Sequence, residues 1–409
     1  MSTFNINLHE TIYSLSDALD LVGVNQVNHG KRVAFMAAEC GKAMGWPVSQ
    51  VDRLFKAAIL HDCGVSNTSV HAKLAQFEWE QEKGHCKLGA NILKSSPPLS
   101  NLSDIVLHHH THWSELKDLG LSNEVKMNAN CIYLVDRVDI LALGCRIKEP
   151  NILVSVDEIR SKILEKSNDW FNPELVDIFM EVSNSEAFWF SLEREHISGY
   201  VSTWVDHDHT REVDFQDLKS IVRIFSYVVD AKSSYTREHS EGVACLSRLL
   251  GELFNLSEAS CDCIEMAGLL HDIGKLRVPD EILEKKSKLT DKEFQTIKRH
   301  SFDTYNILKQ IKGFELITQW ASDHHERVDG GGYPYHKEKS RLSIEARIIA
   351  VADVFQSLAQ KRPYRKALAV TEIMSILKQN ADDGHLDKDI VQMVEQNLTK
   401  CWEAALLLS

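Results

Sequence analysis

The reading turns on two stretches, AAILHDCG at Ala57–Gly64 and AGLLHDIG at Ala267–Gly274, which place His61-Asp62 and His271-Asp272 210 residues apart. Outward from them, matches accumulate in order. His29 and His239 each stand 32 residues before their His-Asp pair. His85 and His300 are each followed six residues later by Asn-Ile-Leu, and 24 residues later by His109-His110 and His324-His325 respectively. Asp136 in CIYLVDRVD (Cys131–Asp139) answers Asp353 in IIAVADVFQ (Ile348–Gln356). Matches in one order over so long a span identify a tandem duplication.

Two copies do not make a solenoid, and each half, about 200 residues, is large enough for its own core. The polar run WVDHDHTR (Trp204–Arg211) breaks the apolar pattern. A boundary is expected there, giving one domain over residues 1–205 and a second over 206–409. His207 and His209 in that run, and His108 and His112 elsewhere, have no counterparts in the other half and read as linker, surface or core histidines. Apolar residues recur at steps of three and four, as in Leu218, Ile221, Val222, Phe225 and Val229 after Asp214. Ser257 and Thr290 stand where helices would start. No glycine-rich loop follows a strand, so Rossmann and P-loop readings have no support. The expected fold class is all-α, a tandem duplication of two helical domains.

The 409 residues are 44% apolar and 26% charged, material for sizeable cores rather than for a disordered chain. No window reaches the roughly 18 uncharged apolar residues of a membrane span. The start MSTFNINLHE lacks the basic and apolar regions of a signal peptide, and the nine cysteines are odd in number and without CxxC pairs. A cytoplasmic location with reduced thiols is expected. Lys+Arg 46 against Asp+Glu 59 gives a formal charge of −13, which disfavours DNA and anionic membranes as partners. An anionic substrate then needs a local positive site.

Asp353 lies in a segment apolar on every side, Ala346 to Phe355, and Asp136 repeats the arrangement among Cys131, Ile132, Leu134, Val135 and Val138. An ionised carboxylate buried there costs several kcal/mol unless paired or metal-bound, and its company of ordered, duplicated histidines points to metal. His271-Asp272 ends an apolar helix and runs into Ile-Gly, a break that lets adjacent side chains leave together, so that one carboxylate can bridge two ions. Imidazole and carboxylate suit Mn, Fe, Ni or Zn, and no cysteine recurs between the halves as a ligand would. Two such ions would acidify a bridging water and clamp phosphate oxygens, as in-line phosphodiester hydrolysis requires.

The ordered pattern resembles the HD phosphohydrolase superfamily. Over about residues 220–400 the chain is similar to a narrower family, the HD-GYP cyclic-dinucleotide phosphodiesterases of bacteria: HDIGK at His271–Lys275, HHERVDGGGYP at His324–Pro334 and ADVFQSLAQKRPYR at Ala352–Arg365 follow in order. The resemblance implies one metal on His239, His271, Asp272 and Asp353, and a second on bridging Asp272 with His300, His324 and His325. Asp272 and Lys275 would be the catalytic pair, Lys275 meeting the scissile phosphate or leaving oxygen. Lys275, Tyr333, Gln356, Arg362 and Arg365 would line the substrate. Tyr235 occupies the position of a glutamate that holds a third ion in some members, so two divalent first-row ions, Fe, Mn or Ni, are expected. Gln356 stands where the family commonly has Asp, and Ala359-Gln360 where it has Thr-Ser, on the presumed substrate side.

The N-terminal half resembles only the general HD domain. His29, His61, Asp62, His85, His109, His110 and Asp136 offer it a second metal site, but Val65 replaces the lysine and both the GYP loop and the arginines are missing. A regulatory domain is expected, with a second phosphohydrolase of different substrate as the alternative. The expected activity is metal-dependent hydrolysis of a cyclic dinucleotide, cyclic di-GMP or 3',3'-cyclic GMP-AMP, to the linear dinucleotide in bacterial second-messenger signalling. The alternatives are a catalytically weak cyclic-dinucleotide receptor and a general nucleotide phosphohydrolase. A homodimer and signalling-protein partners remain open.

Overall fold

The computed structural model describes residues 3–21, 28–65, 84–148, 151–206, 211–232, 238–360 and 367–408. The chain divides into two compact units, one of Leu19–His209 and one assembled from Met1–Ala18 with Thr210–Ser409. This differs from a division into 1–205 and 206–409 in where the first eighteen residues belong. A short antiparallel ladder is the reason: β1 (Thr3–Ile6) pairs with β2 (Arg211–Asp214), Thr3 opposite Asp214 and Ile6 opposite Arg211. The following helix, Leu8–Leu19, buries Leu8, Ile12 and Leu15 at helical spacing. Asp17 Oδ2 accepts a hydrogen bond from Gln310 Nε2 at 3.2 Å, and the Phe4 and Phe215 rings stand 6.3 Å apart. Strands of four residues leave no periodic trace for a sequence reading to find.

Apart from this ladder the fold is all-α, as expected. In the unit that carries Asp353, Ser257 caps Glu258–Leu270 by accepting from Ser260 N, and Thr290 and Glu293 form a reciprocal capping box at the start of Asp291–Leu308. The apolar stripe read from Leu218 to Val229 is the buried face of Phe215–Lys232. Helices His239–Leu253, Glu258–Leu270 and Ile344–Ala359 pack on one another, and Ile348, Ile349, Val351, Ala352 and Phe355 of the last are buried. In the other unit His29–Ala43, Val48–Ile59 and Asn123–Lys148 pack in the corresponding way. No helix among the described residues is long and apolar enough to cross a membrane.

Candidate metal centres

Four histidines of the C-terminal set, His239, His271, His300 and His324, are aimed by a hydrogen bond from the other ring nitrogen. His271 Nδ1 donates to Gly268 O, His300 Nδ1 to Ile297 O and His324 Nδ1 to Ala321 O, all at 2.7 Å. These are carbonyls one helical turn back, so the helix itself selects the tautomer and presents Nε2. His239 differs: its Nδ1 donates to the side chain of Gln356, with Oε1 at 2.5 Å. The glycine of each His-Asp motif allows close approach rather than a turn. A Cβ on Gly274 would lie 2.1 Å from His300 O, and one on Gly64 would lie 2.1 Å from His85 O. Each glycine thus lets the His-Asp turn lie directly against the helix that carries the next ligand.

The two oxygens of Asp272 face different partners. Oδ2 lies 3.2 Å from His271 Nε2 and 3.6 Å from His239 Nε2. Oδ1 lies 3.4 Å from His300 Nε2 and 3.8 Å from His324 Nε2. Asp353 Oδ1 completes the first group, 3.2 Å from His239 Nε2 and 3.9 Å from His271 Nε2. In the second group His300 Nε2 and His324 Nε2 are 3.2 Å apart, and the His325 ring lies 4.0 Å from that of His324. The seven residues therefore form two adjoining donor clusters, His239/His271/Asp353 and His300/His324/His325, joined by one carboxylate. His271 Nε2 and Asp272 Oδ1 are buried and make no hydrogen bond to any described residue. Orphaned donors of this kind fit metal ions, and the imidazole and carboxylate set suits first-row divalent ones.

Electrostatics divide the histidines. Burial, then the neighbouring His325, pushes His300 down to about 3, and burial likewise takes His325 to about 4. Burial opposes protonation of His239 too, but the carboxylates of Asp272 and Asp353 outweigh it and hold that ring up at about 9. Although burial alone would raise them, both carboxylates are held well below the usual range, Asp272 by His271 and Lys275 and Asp353 by His239.

Around this cluster, Lys275 Nζ is half-buried and 2.5 Å from Asp272 Oδ2. Tyr333 lies over the centre, its ring 4.8 Å from His325, and its N–H donates to His325 O at 3.1 Å. Gln356 is not on an open substrate face: it is buried, and its side chain is spent on His239. Arg362, Arg365 and Tyr235 lie outside the described residues, as do His207 and His209. Three positions that the sequence reading passed over shape the site. Buried Glu326 accepts from Tyr335 N at 2.6 Å and Lys337 N at 3.0 Å, and Asp323 holds Lys337 Nζ at 2.7 and 2.8 Å, which fixes the loop carrying Tyr333. Asp230 accepts from Ser240 N at 3.1 Å and so tethers the helix that begins at His239. Asp20 does the same for Asn28 N at 3.0 Å, one residue before His29. Their common offset of 210 was a readable signal.

The N-terminal set is gathered in the same way. Asp62 Oδ2 lies 3.5 Å from His61 Nε2 and 3.9 Å from His29 Nε2, and Asp62 Oδ1 lies 3.6 Å from His85 Nε2 and 3.9 Å from His109 Nε2. Asp136 Oδ1 is 3.3 Å from His29 Nε2, and Asp136 Oδ2 is 4.0 Å from His110 Nε2. Two substitutions distinguish this centre. Buried Arg137, where the other unit has Val354, donates to Asp136 Oδ2 from Nε at 3.0 Å and from a terminal nitrogen at 2.7 Å. Cys86, where the other unit has Ser301, places Sγ 3.4 Å from His85 Nε2. A search for residues shared by both halves could find neither. Val65 is buried at the position of Lys275.

Models of the HD domain match residues 27–141 and 223–390. The chain is 34% identical over 407 residues to 3'3'-cGAMP-specific phosphodiesterase 1 of Vibrio cholerae, covering 98% of this chain and 94% of that protein. A cyclic di-GMP phosphodiesterase of Pseudomonas aeruginosa is 36% identical over 174 residues, 42% of this chain and 40% of the relative. The crystal structure of a cyclic GMP-AMP-specific phosphodiesterase of Vibrio cholerae, V-cGAP3, shares the fold at a TM-score of 0.63 and 23% identity, covering 100% of this chain and 99% of that one. Two matched HD domains, a relative alike from end to end and paired histidine–aspartate clusters converge: the chain belongs to the HD-GYP cyclic-dinucleotide phosphodiesterases, in a form with tandem HD domains.

Proposed function

We propose that the substrate of this phosphodiesterase is 3',3'-cyclic GMP-AMP, opened to the linear dinucleotide at the C-terminal centre. The observation that carries the choice of substrate is the extent of the match. The 3'3'-cGAMP-specific relative aligns across both domains, 98% of this chain, whereas the cyclic di-GMP phosphodiesterase of Pseudomonas aeruginosa aligns over 42%.

At that centre His239, His271, Asp272 and Asp353 would hold one divalent ion, and Asp272, His300, His324 and His325 a second, with Fe, Mn or Ni the expected metals. The split of the Asp272 oxygens between two histidine groups supports this assignment. Bound there, the ions supply an acidified water and neutralise charge on the phosphate. Lys275, beside Asp272, is positioned to donate to a phosphate or leaving oxygen as its charge grows. Tyr333 forms a wall against His325 on which a base can pack. Arg362 and Arg365 would add the positive charge that an acidic chain otherwise lacks at its substrate.

Catalysis is assigned to the unit of Met1–Ala18 with Thr210–Ser409, and regulation to the unit of Leu19–His209. Val65 in place of the lysine and Arg137 against Asp136 support that division. The test is a product assay on purified chain loaded with Mn, Fe or Ni and offered a panel of cyclic dinucleotides. Fastest conversion of 3',3'-cyclic GMP-AMP to its linear form is expected. Faster turnover of cyclic di-GMP would overturn the substrate assignment.

A further inference from the structure

The N-terminal centre contains a donor that its C-terminal counterpart lacks. Cys86 Sγ lies 3.4 Å from His85 Nε2 and 4.0 Å from His109 Nε2, and those two nitrogens are 3.3 Å apart. Asp62 Oδ1, within 3.6 Å of His85 Nε2 and 3.9 Å of His109 Nε2, is buried and makes no hydrogen bond to any described residue. Ligand distances of about 2.0–2.1 Å to nitrogen and about 2.3 Å to sulfur put tetrahedral N···N edges at about 3.3 Å and N···S edges at about 3.5 Å. His85 Nε2 already stands near that spacing from both partners, and the edge from Cys86 Sγ to His109 Nε2, at 4.0 Å, is about half an ångström wider.

The contrast with the other unit sharpens the point. Ser301 Oγ lies 3.4 Å from His300 Nε2, in the place of the thiol. A hydroxyl there is a weak ligand, whereas a thiolate selects thiophilic ions. At the far side of the N-terminal centre, the guanidinium of Arg137 already neutralises Asp136. A second cation beside His29 and His61 would meet that positive charge.

We propose that His85, Cys86, His109 and Asp62 form a single closed site for a thiophilic divalent ion of the zinc class, distinct in chemistry from the all-imidazole and carboxylate centre of the other unit. Four protein ligands leave no open position for hydrolytic water, so this ion is structural. Its thiolate also makes it the part of the molecule through which oxidants would release metal.

Metal-stripped full-length chain titrated with Co²⁺ tests this. A thiolate-to-cobalt charge-transfer band in the near ultraviolet is expected from the wild type. Cys86→Ser, which reproduces the native Ser301 side chain, should lose the band, and Cys63→Ser should keep it. Absence of the band in the wild type, or its persistence in Cys86→Ser, overturns the proposal. X-ray absorption of the zinc-saturated wild type gives a reading independent of any variant: a sulfur neighbour at about 2.3 Å is expected, and a shell of nitrogen and oxygen alone overturns it.

Discussion

Gln356 Oε1 stands 2.5 Å from His239 Nδ1, and in the other unit Asp139 Oδ2 stands 2.8 Å from His29 Nδ1. The two positions follow Asp353 and Asp136 by three residues. One unit thus orients its first histidine with a neutral amide, and the other with a carboxylate that Arg32 also holds, at 2.5 Å. Gln356→Leu would leave a buried N–H without a partner. Metal affinity of the C-terminal centre should fall by about 10–100-fold, the usual effect of losing an outer-shell partner. Gln356→Asp should restore it. Chelator competition measures both, and unchanged affinity in the leucine variant would show that the amide does not position the ring.

Asp272→Ala removes the carboxylate that, among the described residues, joins the two C-terminal clusters. Activity should vanish, and metal content should drop by two ions per chain relative to the wild type. Elemental analysis of full-length protein is the check; a drop of one ion would limit Asp272 to a single site.

Lys275→Ala should keep the metals and the fold yet lose about 10²–10³ in turnover, the scale for removing one preorganised charge-stabilising donor. Near-normal rates in a metal-replete variant would remove the lysine from the mechanism.

Protons and metals compete at these centres. With His239 held up at about 9 and His29 at about 10, the metal-free chain at pH 7 is protonated on both, whereas His300 near 3 and His325 near 4 are neutral. Loading the C-terminal centre at pH 7 should release about one proton from His239, and affinity there should rise between pH 7 and about 9. A raised folded-state pKa also means that protonated His239 stabilises the metal-free fold fully below its ordinary value of 6.5 and ceases to do so as pH rises through about 9. Calorimetric titration in buffers of different ionisation enthalpy reads the proton count, and a count of zero at pH 7 would contradict the protonated ring.

His61→Ala/Asp62→Ala in the full chain should modulate hydrolysis rather than abolish it, within the roughly 5–150-fold range of coupling between distinct sites. Complete loss, in a protein that keeps its C-terminal metals, would move the chemistry to the first domain.

What the sequence could reveal follows from how it was read. Ligands that recur in both halves were legible because repetition exposed them, and buried apolar helices around Asp136 and Asp353 were legible because an isolated carboxylate cannot sit there unpaired. Repetition is blind to what differs. Cys86 and Arg137 have Ser301 and Val354 opposite them, so the comparison that found seven ligands discarded both. Gln356 was visible only as a departure, since which face of a helix turns toward a neighbouring histidine depends on packing. The close approach at Gly274 was not legible for the same reason: the carbonyl it meets belongs to a helix that starts 17 residues later, at Asp291.

The pairing of Ile6 with Arg211 has a consequence for how the enzyme is made. The chain leaves the unit that carries Asp353 after Ala18 and re-enters it at Thr210, beside the same ladder, so the unit of Leu19–His209 is an insertion within it. On the ribosome, the inserted unit is complete while β1 still waits for a partner strand about two hundred residues downstream, and assembly of the surrounding unit comes last. Cutting the gene at codon 206 therefore does not isolate an intact copy of that unit. It strips off Ile6, Leu8, Ile12 and Leu15, buried side chains worth roughly 1.5–3 kcal/mol each. A minimal catalytic chain would instead splice residue 18 to residue 211 through a short linker.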